Sequence, residues 1–200
     1  MASPLYVINH QYCFPYNINL KVDRDNGTTY NDNYKHFSVK KVSPSLHHRR
    51  VLQDAAGNAI VTLYKNKMSM HKRWEVYEGE NSDSNNLLFS VRESSMIQRK
   101  VKLDVFLAHN KSEEVCDFRI KATQQSCVIY AGKDKRIIAE MVKVTNQFFD
   151  ICVYPHIDYA FIVSLGIILD TMIKESHDHP ILTGLGTEMV TGLATAAITG

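Results

Sequence analysis

The sequence predicts a mainly β protein whose strands close into a barrel around a hydrophobic helix near the C-terminus. Three observations carry this reading. From residue 34 to 154 short alternating segments recur between turn signals, a spacing typical of all-β folds. Amphipathic helical stretches of useful length do not interrupt them, which argues against an α/β alternation. Finally "YAFIVSLGIIL" at 159–169 is apolar on every side, and a helix of that kind must be buried on every side.

The elements follow in order. "HFSVKKV" precedes "RRVLQDAAGNAIVTLYK", which reads as strand, turn over 54–58, strand, with Gly57 and Asn58 tolerating the backbone angles of the turn. "RWEVYEG" continues the pattern, with Trp74 and Val76 as packing positions. "NLLFSVRES", "KLDVFLA" and "VCDFRIKA" come next. "SCVIYAGKDKRIIAEMVKV" reads as a second hairpin turning at 132–135, and "FFDICVYP" is the last strand before Pro155. The 51–63 and 127–141 hairpins share a plan that hints at a duplicated half-barrel. "DRDNGTTYNDN" at 23–33 and "GENSDSNN" at 79–86 read as solvated loops.

The apolar run is helical rather than extended, because apolar positions continue at Leu165, Ile168, Leu169, Met172 and Ile173. Asp158 suits the N-cap or first turn, and Lys174 the far end. Eleven uncharged helical residues reach about 16 Å, against a hydrocarbon core of about 30 Å. Lengthening the run admits Asp158 and Asp170, both costly in lipid. A transmembrane anchor is therefore disfavoured, and a closed sheet is the simplest container.

Two hundred residues suffice to bury a core without metal or disulfide staples. The formal charge of +2 gives no specific nucleic-acid signal, so local clusters matter more. These are "HHRR" at 47–50, "KNKMSMHKR" at 65–73 and "RKVK" at 99–102. The four cysteines form no CxxC pair and the first residues lack a signal-peptide pattern. The expectation is an intracellular, cytoplasmic protein with reduced thiols and peripheral membrane association. The sequons at 26–28 and 110–112 would then be inert. Ala2 excludes the glycine that myristoylation needs.

Taken together, "YCFPYNINLKV", "VLQDAAGNAIVTLYKNKMSMHKRWEVYEG", "SSMIQRKVKLDVFL", "CDFRIKA", "CVIYAG" and "VYPHIDYAFIVSLGIILD" resemble the plant LURP-one-related proteins over residues 12–176. The resemblance implies the tubby C-terminal-like fold, a twelve-stranded antiparallel barrel closed around a central hydrophobic helix, here about 157–174. The segment 1–11 would be a flexible leader and 177–200 a poorly ordered tail. Tubby proteins bind phosphoinositides, and phospholipid scramblases are proposed relatives. The resemblance carries over neither an enzymatic mechanism nor a lipid-contact motif.

Motifs for chemistry are weak. No G-x-S-x-G elbow supports the serines and histidines, and His71 reads as a structural histidine. Cys13, Cys116, Cys127 and Cys152 read as core or half-buried thiols. "HDH" at 177–179 lacks further metal partners, and "DRDNG" places its glycine one residue early for an EF-hand. No catalytic set, metal or cofactor is expected. The candidate anionic-lipid contacts are Arg49, Arg50, Lys65, Lys67, Lys72, Arg73, Arg99, Lys100 and Lys102, whose charges would neutralise lipid phosphates. The leading functional expectation is a noncatalytic barrel recognising anionic phospholipid at a membrane surface. The alternatives are a soluble protein-interaction scaffold in plant defence signalling, and scramblase-like lipid handling.

Overall fold

The computed structural model describes residues 3–42, 49–66, 73–80, 82–97, 100–132 and 135–178. Twelve strands form one closed antiparallel barrel: β1 (Ile18–Asp23), β2 (Thr29–Asn31), β3 (Tyr34–Val42), β4 (Arg49–Asp54), β5 (Ala59–Asn66), β6 (Arg73–Glu78), β7 (Leu87–Ile97), β8 (Lys100–Leu107), β9 (Phe118–Ala122), β10 (Ser126–Ala131), β11 (Arg136–Lys143) and β12 (Phe148–Val153). Each strand pairs with the next, and β12 closes the cylinder on β1 through the register Ile18↔Val153 to Asp23↔Phe148. Closure gives every strand a paired neighbour on both sides. Register shifts in the β2–β3, β4–β5, β6–β7, β7–β8 and β10–β11 pairs supply the local twist that lets a sheet coil shut.

Eight-stranded barrels are filled by their own side chains, whereas this wider one holds α1 (Tyr159–Asp178) on its axis. Alternate strand residues point inward, so Leu20, Leu63, Trp74, Phe89, Leu103, Ile120, Ile129 and Ile151 pack on the helix as one core cluster. Every helix residue from 159 to 169 is buried, matching the all-round apolarity of that run. Trp74 is fully buried in the core, as its place among alternating apolar residues predicts. Phe161 meets Phe89 edge-on at 5.0 Å and Phe118 at 4.9 Å.

Asp158 starts the helix. Its Oδ1 accepts the Phe161 N–H at 3.0 Å, the expected N-cap bond. Its Oδ2 accepts three further backbone N–H groups, from Val7, Ile8 and Asn9. Within the segment 1–11, read from sequence as a flexible leader, Val7, Ile8 and Asn9 are thus bonded to the cap of the helix. Leu5 bridges Ile157, and a short 3-10 turn at His10–Tyr12 follows. Burial raises the Asp158 carboxyl, while the four N–H bonds pull it back toward the anion.

Two loops at the helix-entry end fold back over the outer wall. Gly79, at φ +66°, turns the chain so that its carbonyl accepts the Thr62 hydroxyl at 2.8 Å; Val51 and Thr62 lie fully buried on this outer face. Residues 108–117 return likewise, and Glu113 reaches β6 and β7. The stretch 23–33, expected to be only a loop, contains β2. It turns into β3 through Asp32 and Asn33, both at positive φ as a two-residue primed hairpin requires. The Cα of Gly27 sits so close to Val39 that a Cβ there would lie 2.5 Å from Val39 Cγ2. That close approach, with φ +70°, explains the glycine.

Candidate functional site

In a meander, every second connection leaves at the same end. The ends of β3, β5, β7 and β9 and the starts of β4, β6, β8 and β10 therefore share one rim with the C-terminal turns of α1. This topology brings the described flanks of all three basic clusters to one end of the barrel. What each side chain does there depends on strand parity.

Arg50 and Lys65 face inward, since Arg50 lies opposite Leu63 and Lys65 opposite Trp74. Lys65 pairs with Glu175 of the emerging helix at 2.5 Å. Burial pulls the Arg50 guanidinium below its ordinary value, and Asp170 and Glu175 counter it; an arginine so placed keeps its charge. Arg49 and Arg73 face outward and are engaged by the returning loops. Arg49 donates to the Glu80 carbonyl, while Arg73 donates to the Glu113 carboxylate and, at 2.7 Å, to Ser90 Oγ. Arg92 lies 3.5 Å from the same carboxylate and 4.7 Å above the Phe106 ring. Lys100 and Lys102 are exposed on the outer wall, beside exposed Lys121 of β9. Lys67, Lys72 and Arg99 lie outside the described residues, as do His71 and the tail from 179 onward.

The sequence reading missed the inner half of this rim. Asp170 accepts from Arg24 Nε at 2.7 Å and Nη2 at 2.6 Å, and from Lys174, four residues on, at 2.9 Å. Lys174 also donates to the Arg24 carbonyl at 2.7 Å. The Asp170–Lys174 spacing was a visible helical pair; the partnership with Arg24, 146 residues away, was not. Beside this triad a cavity of about 310 Å³ opens between α1 and strands β10, β11 and β12. Cys127, Met141, Phe149, Gly166, Leu169 and Ile173 form its apolar wall, while Arg24, Lys143, Asp170 and Lys174 stand at its polar side. Gly166 faces Met141 and Phe149, and a Cβ there would meet Met141 Cε at 3.2 Å.

The thiols are not activated. Burial pushes Cys127 up to about 12 and Cys13 up to about 11, and raises Cys116 and Cys152 as well, leaving little thiolate at neutral pH. All four are free. Among the described residues no group of three His, Cys, Asp or Glu could hold a metal ion. "DRDNG" forms a self-bonded turn, with Asp23 Oδ1 accepting the Asp25 N–H at 2.8 Å. No helix among the described residues is long and apolar enough to cross a membrane.

A closed antiparallel barrel threaded by a hydrophobic helix defines the structural class. The particular family follows from comparison: the chain belongs to the LURP-one-related family, whose model matches residues 19–170. It is similar to Protein LURP-one-related 15 of Arabidopsis thaliana, at 41% identity over 84% of this chain and 86% of the relative. It is also similar to Protein LURP-one-related 10 of the same plant, at 40% identity over 86% of this chain and 98% of the relative. A crystal structure of an Arabidopsis thaliana protein shares the fold with a TM-score of 0.71 and 38% identity, covering 84% of this chain and 98% of that one.

Proposed function

We propose that this chain is a noncatalytic barrel that docks on anionic phospholipid headgroups through the rim where α1 ends. The observation that supports it is the grouping of exposed cations there: Lys41, Lys100, Lys102 and Lys121, with Asp25 and Asp150 as exposed carboxylates nearby. Among the described residues the opposite rim interleaves Asp32, Glu78, Glu80, Asp83 and Glu114 with Lys35, Lys111, Lys135 and Arg136, so they carry no comparable excess. Val142 and Val144, 55% and 53% exposed, add an apolar component at the cationic end. A bilayer surface rewards that combination: each well-placed charge contributes about 1 kcal/mol, and small apolar side chains enter the headgroup layer.

Flotation with phosphatidylserine or phosphoinositide vesicles tests this reading. The protein is expected to bind at low salt and release at high salt, because surface charge attraction is screened. Replacing Lys100→Glu together with Lys102→Glu is expected to weaken binding at least about tenfold. Absence of binding at low salt rejects the proposal.

A further inference from the structure

We infer that the cavity between α1 and strands β10–β12 is a binding site for a single-chain anionic amphiphile, with the alkyl chain inside and the anionic head at the rim. The apolar wall of Met141, Phe149, Leu169 and Ile173 offers nothing that a polar ligand could use. Its charged side is unbalanced: Arg24, Lys143 and Lys174 face one carboxylate, Asp170. Asp170 is already engaged by both Arg24 and Lys174, at 2.6 and 2.9 Å. Lys143 lies opposite Phe149 in the β11–β12 register, so it points inward, half-buried, with no carboxylate partner among the described residues. An inward-facing lysine without a carboxylate partner offers an anionic head a charge-assisted hydrogen bond. Exposed Thr123, Gln125 and Ser126 form the cavity's outer lip, which gives the ligand a way in from solvent or from an apposed bilayer. Gly166 keeps the helix from closing the space, since any side chain there would press on Met141 and Phe149.

The site stands apart from surface docking, because Lys143 and the cavity wall differ from Lys100 and Lys102. Calorimetric titration of the full chain with decyl phosphate is expected to give saturable one-to-one binding. Decanol and inorganic phosphate, each lacking one half of the chemistry, are expected to bind at least about tenfold more weakly. Lys143→Ala is expected to weaken decyl phosphate about tenfold without moving the melting midpoint. Ile173→Trp, which fills the apolar wall, is expected to abolish binding. Lys100→Glu with Lys102→Glu is expected to retain decyl phosphate while losing vesicles, so the two proposals fail separately. Incubation with vesicles carrying an anionic lysophospholipid identifies the source: recovery of protein-bound lysolipid assigns a membrane lipid, and its absence beside tight decyl phosphate binding assigns a free amphiphile. Lack of saturable decyl phosphate binding overturns the inference, as does equal binding by decanol or by the Lys143→Ala variant.

Discussion

At the scale of single residues, burial decides what each ionisable group can do. His36 sits among aromatic rings at the helix-entry end, its ring centroid 5.6 Å from that of Tyr159 and its Nδ1 3.5 Å from the Tyr159 hydroxyl. Burial lowers its pKa from the ordinary 6.5. The unfolded chain therefore takes up the proton first, so the stability tied to neutral His36 is intact above about pH 6.5 and declines as pH falls below it. Urea midpoints at about pH 7.5 and about pH 5.5 are expected to differ more for the wild type than for His36→Phe, which keeps the packing and removes the titration. Equal pH dependence in both proteins would show that His36 is not the sensor. The same scale explains the basic clusters. Arg50 shares strand parity with Leu52 and Lys65 with Leu63, so their inward direction was legible in the alternation of the sequence. The engagement of Arg49 and Arg73 was not, because it depends on loops that return from distant strands.

At the scale of elements, the strands and the helix were legible, since each carries a periodic pattern or a turn signal of its own. Both hairpins turn where Gly57 and Gly132 adopt positive φ. β2 was obscured because three residues are too few to show alternation, although the Asp32-Asn33 pair marks its turn. The two back-folded loops carry no periodicity at all; the outer burial of Val51, Thr62 and Phe106 and the bonds of Gly79 and Glu113 reveal them in the structure. For α1 the pattern makes a strong demand. Leu165 is fully exposed to the core and not to water, at 0% accessibility. Leu165→Asp would place an unpaired carboxylate inside the barrel, at a cost of more than about 4 kcal/mol. The variant is expected to lose cooperative unfolding by circular dichroism and to expose dye-binding apolar surface. Leu165→Met, which conserves volume, is expected to cost less than about 1.5 kcal/mol. A folded, equally stable Leu165→Asp protein would remove the helix from the barrel interior.

At the scale of the whole molecule, closure is what joins the two ends of the chain. β1 pairs with β12, and the next layer of closure is Asp158, which gathers N–H groups from residues 150 positions earlier while capping α1. Deleting residues 1–11 leaves a buried carboxylate with the Phe161 N–H as its remaining bonded partner among those named; Asp158→Ala leaves that N–H and those of Val7, Ile8 and Asn9 unmet instead. Each orphaned group costs about 1–3 kcal/mol, so either change alone is expected to destabilise by several kcal/mol. Combined, they remove both sides of one network, and the double variant is expected to lose less than the sum of the two by at least about 1 kcal/mol. Urea denaturation of the four proteins in that cycle measures the coupling. Strict additivity would mean that the N-terminal segment and the helix cap stabilise the barrel independently, and that the carboxylate does not tie them together.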